Sequence, residues 1–134
     1  MQQQRSASFP KQERLRSRRL TERLFSGPGT SMTVFPLRTV FIELQPGEQT
    51  APVAVLISVP KRRLKHAVDR NRLKRQIREA YRLNKHLLTE VVQQQGKQLA
   101  LAFIALTNEP CSSHRVEGAV RRLLRRIGEK ITVR

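Results

Sequence analysis

The spacing of apolar residues changes several times along the chain, and each change marks an element. From Gln12 to about Phe25, Leu15, Leu20, Leu24 and Phe25 recur among Arg and Glu. That spacing predicts a short amphipathic helix, which Ser26-Gly27-Pro28-Gly29 ends. Between Met32 and Leu44 the residues Val34, Phe35, Val40, Phe41 and Ile42 are β-branched or aromatic, and Pro36 marks a break or an edge position. Gln45-Pro46-Gly47-Glu48 reads as a turn and Val53 to Val59 as a second buried strand, so the pair is expected to form an antiparallel hairpin with a loop of moderate length. Leu73, Ile77, Ala80, Leu87 and Val91 then follow helical steps, in a helix that extends or restarts through His86 to Gln94. Gln95-Gly96-Lys97 breaks the pattern, and the apolar run from Leu99 to Leu106 has the length of a central strand. After Asn108-Glu109-Pro110, Ser112 or Ser113 can cap a last helix whose core side carries Val116, Ala119, Val120, Leu123, Leu124 and Ile127 before Gly128.

The order helix, strands, helix, strand, helix, with a βαβ crossover, predicts an α+β fold: a compact sandwich with a single sheet. Residues 1–12 read as a flexible polar and basic lead-in and residues 13–134 as one domain, with no internal repeat.

The polar side of the central helix changes the picture. Lys74, Arg75, Arg78, Arg82 and Lys85 gather opposite the apolar stripe, with Asn71 among them. Arg72 flanks the array, and Arg70 lies nearer the apolar edge, so both are expected to reach around the helix N-terminus. Pro60-Lys61-Arg62-Arg63-Leu64-Lys65 adds cations just upstream. Like charges at helical neighbours each cost a few tenths of a kcal/mol. A face of nearly one sign is therefore not there for helix stability, and a solvated surface mixes signs. The chain as a whole has 27 Lys and Arg against 10 Asp and Glu, a formal net charge of +17, which makes nucleic acid the expected partner. A second array, Arg121, Arg122, Arg125 and Arg126 on the last helix, stands open between a solvated face and an RNA contact.

Other classes fall away. No helix joins cations to the exposed aromatic face of an interfacial helix, and there is no Trp. No apolar run reaches the ~18 residues of a bilayer span. Met1 to Arg5 lacks a secretory apolar segment, so no membrane is expected and the location is read as cytoplasmic. Cys111 alone makes neither an internal disulfide nor a metal site and reads as a filler at a loop-helix junction. His66, His86 and His114 lie in separate segments without partners at ligand spacing. No phosphate-cradling glycine loop, nucleophile motif or carboxylate pair for a metal is present, and Asp69 suits the helix N-terminus. No catalytic residue and no metal ligand is assigned to the protein.

Arg70-Asn71-Arg72-Leu73-Lys74-Arg75, with Arg78-Glu79-Ala80-Tyr81-Arg82 after it, Ala67-Val68 before it, and Ser58-Val59 followed by Lys61-Arg62 upstream, resembles the signature of the bacterial ribonuclease P protein component. Looser similarity runs from Arg14-Leu15 through the Phe35 strand to the Arg-rich last helix. The resemblance implies a protein that joins a catalytic RNA and helps it remove the 5′ leader of precursor tRNA. It also implies that Mg²⁺ is held mainly by the RNA, which performs the hydrolysis, and it implies no protein partner. Lys61, Arg62, Arg70, Asn71, Arg72, Lys74, Arg75, Arg78 and Arg82 would then face RNA. Phe35, matching the family's strand phenylalanine, and Arg38 would line a leader-binding cleft, with core packing as the other reading of Phe35.

Leu20 and Leu24 stand where many members have phenylalanine, and Arg38 where an aromatic is common, which implies leader binding that depends less on stacking and more on charge. The Lys61 to Ala67 segment lacks the usual glycine and is one residue longer. A ribosomal or general RNA-binding protein without a role in cleavage is the alternative; a self-contained nuclease would need clustered carboxylates or histidines.

Overall fold

The computed structural model describes residues 9–27 and 29–132. Residues 1–8 of the expected lead-in lie outside this range. Four strands, β1 (Thr30–Val34), β2 (Leu37–Leu44), β3 (Val53–Ser58) and β4 (Gln98–Ala105), form one sheet in the order β1-β2-β4-β3. The helices are α1 (Arg18–Phe25), α2 (Ala67–Asn84), α3 (His86–Gln94) and α4 (Ser113–Thr132), and the fold is α+β as expected.

The expected hairpin between the Met32–Leu44 and Val53–Val59 runs does not form. The hairpin lies inside the first run, where β1 and β2 pair antiparallel about the Phe35-Pro36 turn with Val34 opposite Leu37. β4 separates β2 from β3, antiparallel to β2 and parallel to β3. The reason lies in β4 itself. Leu99, Leu101 and Phe103 point to one face and Ala100 and Ala102 to the other, all buried, and a strand apolar on both faces belongs in the middle of a sheet.

On one face, Leu99, Leu101 and Phe103 meet Leu73, Ile77 and Tyr81 of α2, Leu88 and Val92 of α3, and the apolar side of α4. On the other face, Leu15, Leu20 and Leu24 cover Val40, Ile42, Ala54, Ala100 and Ala102. The central helical run is two helices. It breaks at Lys85, yet the buried stripe runs on through Asn84, Leu88 and Val92 at steps of four, while Leu87 and Val91 only pack against the core edge.

The N-terminal stretch departs from one helix starting at Gln12. Phe9 packs edge-on against Tyr81, ring centroids 5.6 Å apart, so this part of the lead-in folds onto the core. A single 3-10 turn spans Lys11–Glu13. Arg14 then bridges Val55 in parallel, and Leu15 N donates to Val55 O at 2.9 Å, adding a short strand-like contact to the β3 edge. α1 starts only at Arg18, where Ser17 Oγ accepts from Leu20 N. At its far end Gly29 passes so close over β2 that an added Cβ would stand 2.9 Å from Val40 Cγ1 and 3.0 Å from Leu24 O. Among the described residues no helix is long and apolar enough to cross a membrane.

Candidate nucleic-acid interface

α2 buries Leu73, Ile77, Ala80, Tyr81 and Asn84, which fixes where its cations point. Asn71, Arg72 and Arg75 are exposed on the outer side. Lys74 and Arg78 are half-buried on the flank toward β3. Lys61 and Arg62 are exposed in the loop that delivers the chain to the helix, and Asp69 sits in the first turn, where its charge favours the helix. The opposite flank of α2 meets the start of α4, where Gln76 Nε2 donates to Cys111 O at 2.9 Å.

Two expected RNA-facing residues have other duties. Arg70, on the bearing nearest the apolar edge, turns its guanidinium back on the loop: Nη1 donates to Leu64 O at 2.9 Å and to Lys65 O at 2.8 Å. It holds the loop that presents Lys61 and Arg62 against the helix start. Arg82 Nη2 lies 2.5 Å from Glu79 Oε2, and the Arg82 hydrogen bond holds the Glu79 carboxyl below the usual carboxylate range. At neutral pH the pair is therefore nearly neutral as a unit.

Lys74 and Arg78 also line a hollow of about 560 Å³ that was not legible in the sequence. Arg14 and Arg16 stand across from them, Leu15, Val55, Leu56 and Ile57 form its floor, and Phe9 lies at one end. The N-terminal stretch places Arg14 and Arg16 there because Leu15, between them, is buried and bonded to Val55. The alternation around Leu15 was the one available signal.

Leu56 leads from this hollow onto the sheet face that α1 leaves open. In the register, Val40, Ala102 and Leu56 form one row, and Arg38, Ile104 and Ser58 the next. Arg38 Nε donates to Ser31 Oγ at 3.0 Å on this same face. α1 walls the face at its other end. Arg23 pairs with Glu48 at 2.7 Å beyond the end of β2, and by helical spacing Arg18, Thr21 and the 48%-exposed Phe25 lie on the opposite flank of the helix, away from Glu48.

Phe35 is elsewhere. It is 53% exposed in the β1-β2 turn, neither packed in the core nor on the face of Arg38. Its ring instead lies 5.1 Å from the guanidinium carbon of Arg115 on α4, on the far side of the sheet. The structure thus brings Arg38 to the open face but not Phe35, and the aromatic at the rim of that face is Phe25. Among the described residues no three of His, Cys, Asp and Glu are grouped to hold a metal ion.

The family model for Ribonuclease P matches residues 9–128. The ribonuclease P protein component of Porphyromonas gingivalis is 40% identical over 121 residues, covering 90% of this chain and 87% of the relative. That of Chlorobaculum tepidum is 36% identical over 135 residues, covering 95% and 87%. Among solved structures, the ribonuclease P protein of Thermotoga maritima superposes with a TM-score of 0.66 at 26% identity, over 85% of this chain and 96% of that one. The Staphylococcus aureus protein, at 19% identity, has the same fold with a TM-score of 0.67 over 87% of this chain and 96% of that one. With the matched region running from Phe9 of the hollow to Gly128 of the last helix, and containing the whole cationic face of α2, this chain belongs to the ribonuclease P protein family.

Proposed function

We propose that this chain works in the cytoplasm as the protein subunit of ribonuclease P, binding the catalytic RNA through the outer side of α2 and the 5′ leader of precursor tRNA through the hollow and the open sheet face. The observation that carries the reading is the position of Lys74 and Arg78. They belong at once to the cationic ridge and to the hollow, so an RNA seated on the ridge and a strand passing through the hollow share one electrostatic boundary. Asn71, Arg72, Arg75, Lys61 and Arg62 supply phosphate contacts on the ridge, and Arg70 sets the loop. Arg14, Arg16 and Arg38 supply them along the leader path, with the exposed Phe25 at the end of α1 as an aromatic platform.

The chemistry of leader removal belongs in this reading to the RNA and its Mg²⁺, which supplies the charge stabilisation of phosphodiester hydrolysis. The protein binds and orients, and lowers the repulsion between two polyanions. The test is leader removal from precursor tRNA by the same organism's ribonuclease P RNA at low Mg²⁺, with and without the chain. Stimulation is expected, and the double substitution Arg72→Ala with Arg75→Ala should abolish it by weakening the hold on the RNA. Arg16→Ala with Arg38→Ala should instead weaken binding of precursor tRNA relative to leaderless tRNA. Tight RNA binding without any stimulation of cleavage would refute the reading.

A further inference from the structure

One basic surface is not used by that reading. Along α4, Val116, Ala119, Val120, Leu123, Leu124, Ile127 and Ile131 are buried, and the flank toward α2 carries Glu117, bonded to Arg121 and Asn84 at 3.4 Å each. On the other flank, toward β1, Arg115, Arg122 and Arg126 follow one another at steps of seven and four residues, with Lys130 beside them. At ~1.5 Å per residue this stripe runs about 22 Å from Arg115 to Lys130. Among the described residues none of the three arginines has an acidic partner within ion-pair distance; Glu129 and Glu109 are the acids on the stripe and at its head.

The head of the stripe is an aromatic. Arg115 rests against one side of the Phe35 ring, and the ring edges a hollow of about 470 Å³ whose wall is the β4-α4 loop, from Leu106 to Ser112. Phe35 adds nothing to the core, being more than half exposed, and an exposed phenylalanine held by an arginine at the start of a row of unpaired arginines suits a flat, π-faced group followed by anions. That is the chemistry of an unstacked nucleotide and the phosphates after it.

We propose that Phe35 and the Arg115-Arg122-Arg126 stripe form a second RNA-binding track, with one base lying on Phe35 in the hollow and successive phosphates on the arginines. The track rests on the RNA-binding reading above but not on the α2 ridge or the open sheet face. Its RNA is either the catalytic RNA or the precursor, and the two are separable.

Affinities of the full chain are measured against the ribonuclease P RNA, against precursor tRNA and against leaderless tRNA, across a salt series. Phe35→Leu is expected to weaken binding of one of these RNAs about five- to a hundredfold while leaving the salt slope unchanged, because a stacking contact carries no charge. Phe35→Trp restores it. Arg122→Gln with Arg126→Gln flattens the slope by about 0.7 to 0.9 per residue. Loss confined to the ribonuclease P RNA names that RNA as the ligand, and loss confined to precursor tRNA names the leader. Thermal melts of the variants should match the parent, since the substituted side chains are exposed. If both variants bind all three RNAs as the parent does while Arg72→Ala with Arg75→Ala weakens binding, the track is overturned and an acidic protein becomes its better partner. If the parent binds none of these RNAs, both readings fall.

Discussion

Replacing Arg75 by alanine isolates one proposed phosphate contact of the α2 ridge. With Arg70 bonded to loop carbonyls and Arg82 tied to Glu79, six of the cations expected to face RNA remain: Lys61, Arg62, Arg72, Lys74, Arg75 and Arg78. If all six neutralise phosphates, log affinity should fall with log salt with a slope of about −4 to −5, a loss of roughly 250- to 1,000-fold between 50 and 200 mM salt. Arg75→Ala should flatten the slope by about 0.7 to 0.9 and shift stability by less than ~0.5 kcal/mol, because Arg75 is exposed. The companion variant is Glu79→Gln. It removes an acid from the ridge together with the carboxylate paired with Arg82, so affinity should rise and the slope steepen by up to ~0.9. Both are read by filter binding to the ribonuclease P RNA over a salt series, with denaturant melts of each variant as controls. An unchanged slope for Arg75→Ala would refute the ridge as the phosphate surface. A steeper slope for Glu79→Gln beside an unchanged one for Arg75→Ala would move that surface toward Arg82.

Glu13→Gln should destabilise the fold by about 1–3 kcal/mol, since the Lys85 Nζ to Glu13 Oε1 contact at 2.9 Å joins side chains only 12% and 17% exposed and ties the N-terminal turn to the α2-α3 junction. Urea denaturation checks it, and an unchanged midpoint would show that the pair contributes nothing. Glu48 accepts from Gln45 N at 2.7 Å and from Arg23, and these hydrogen bonds, the backbone one first, hold its carboxyl below the ordinary glutamate value. A depressed folded-state value means that the tie between α1 and the β2-β3 loop is complete above the unfolded value and is lost as pH falls through the folded one. An NMR titration of Glu48 should therefore give a midpoint below that of an unperturbed glutamate, rising in Arg23→Ala; a midpoint at or above the unperturbed one in the parent would contradict the geometry.

The sequence made the central helix legible because its signal is local. A 3.6-residue period and a one-signed polar face need no knowledge of the partner surface, and Leu73, Ile77 and Ala80 are buried as their spacing requires. The order of the strands is a different matter. Val53 to Ser58 is apolar whether its neighbour is β2 or β4, and only the two-sided burial of β4 decides between them. The helix break at Lys85 carries no Gly or Pro to announce it. It coincides with contacts made far along the chain: the bond of Asn84 Nδ2 to Glu117 and the pairing of Lys85 with Glu13.

The site divides along the same line. The bearing of Arg70 near the apolar edge was readable, but the carbonyls of Leu64 and Lys65 that capture it depend on how the loop turns, so a residue read as an RNA contact is also a brace. Phe35 and Phe25 show the limit most clearly. Both are aromatic residues at element boundaries, and composition and spacing do not rank them. Phe35 falls in the turn because the hairpin closes at Phe35-Pro36, which sends its ring toward Arg115 and away from Arg38. Phe25 comes to the rim of the open face because Leu20 and Leu24 anchor α1 on Val40 and Ile42 while Arg23 is held at Glu48 on the other flank. With Leu20 and Leu24 in place of the family's phenylalanines, the first helix is fixed by aliphatic packing and presents a single aromatic at its last position. A leader strand crossing this face would therefore meet one stacking platform at the exit of α1 and be held along the rest of its path by Arg38, Arg16 and Arg14.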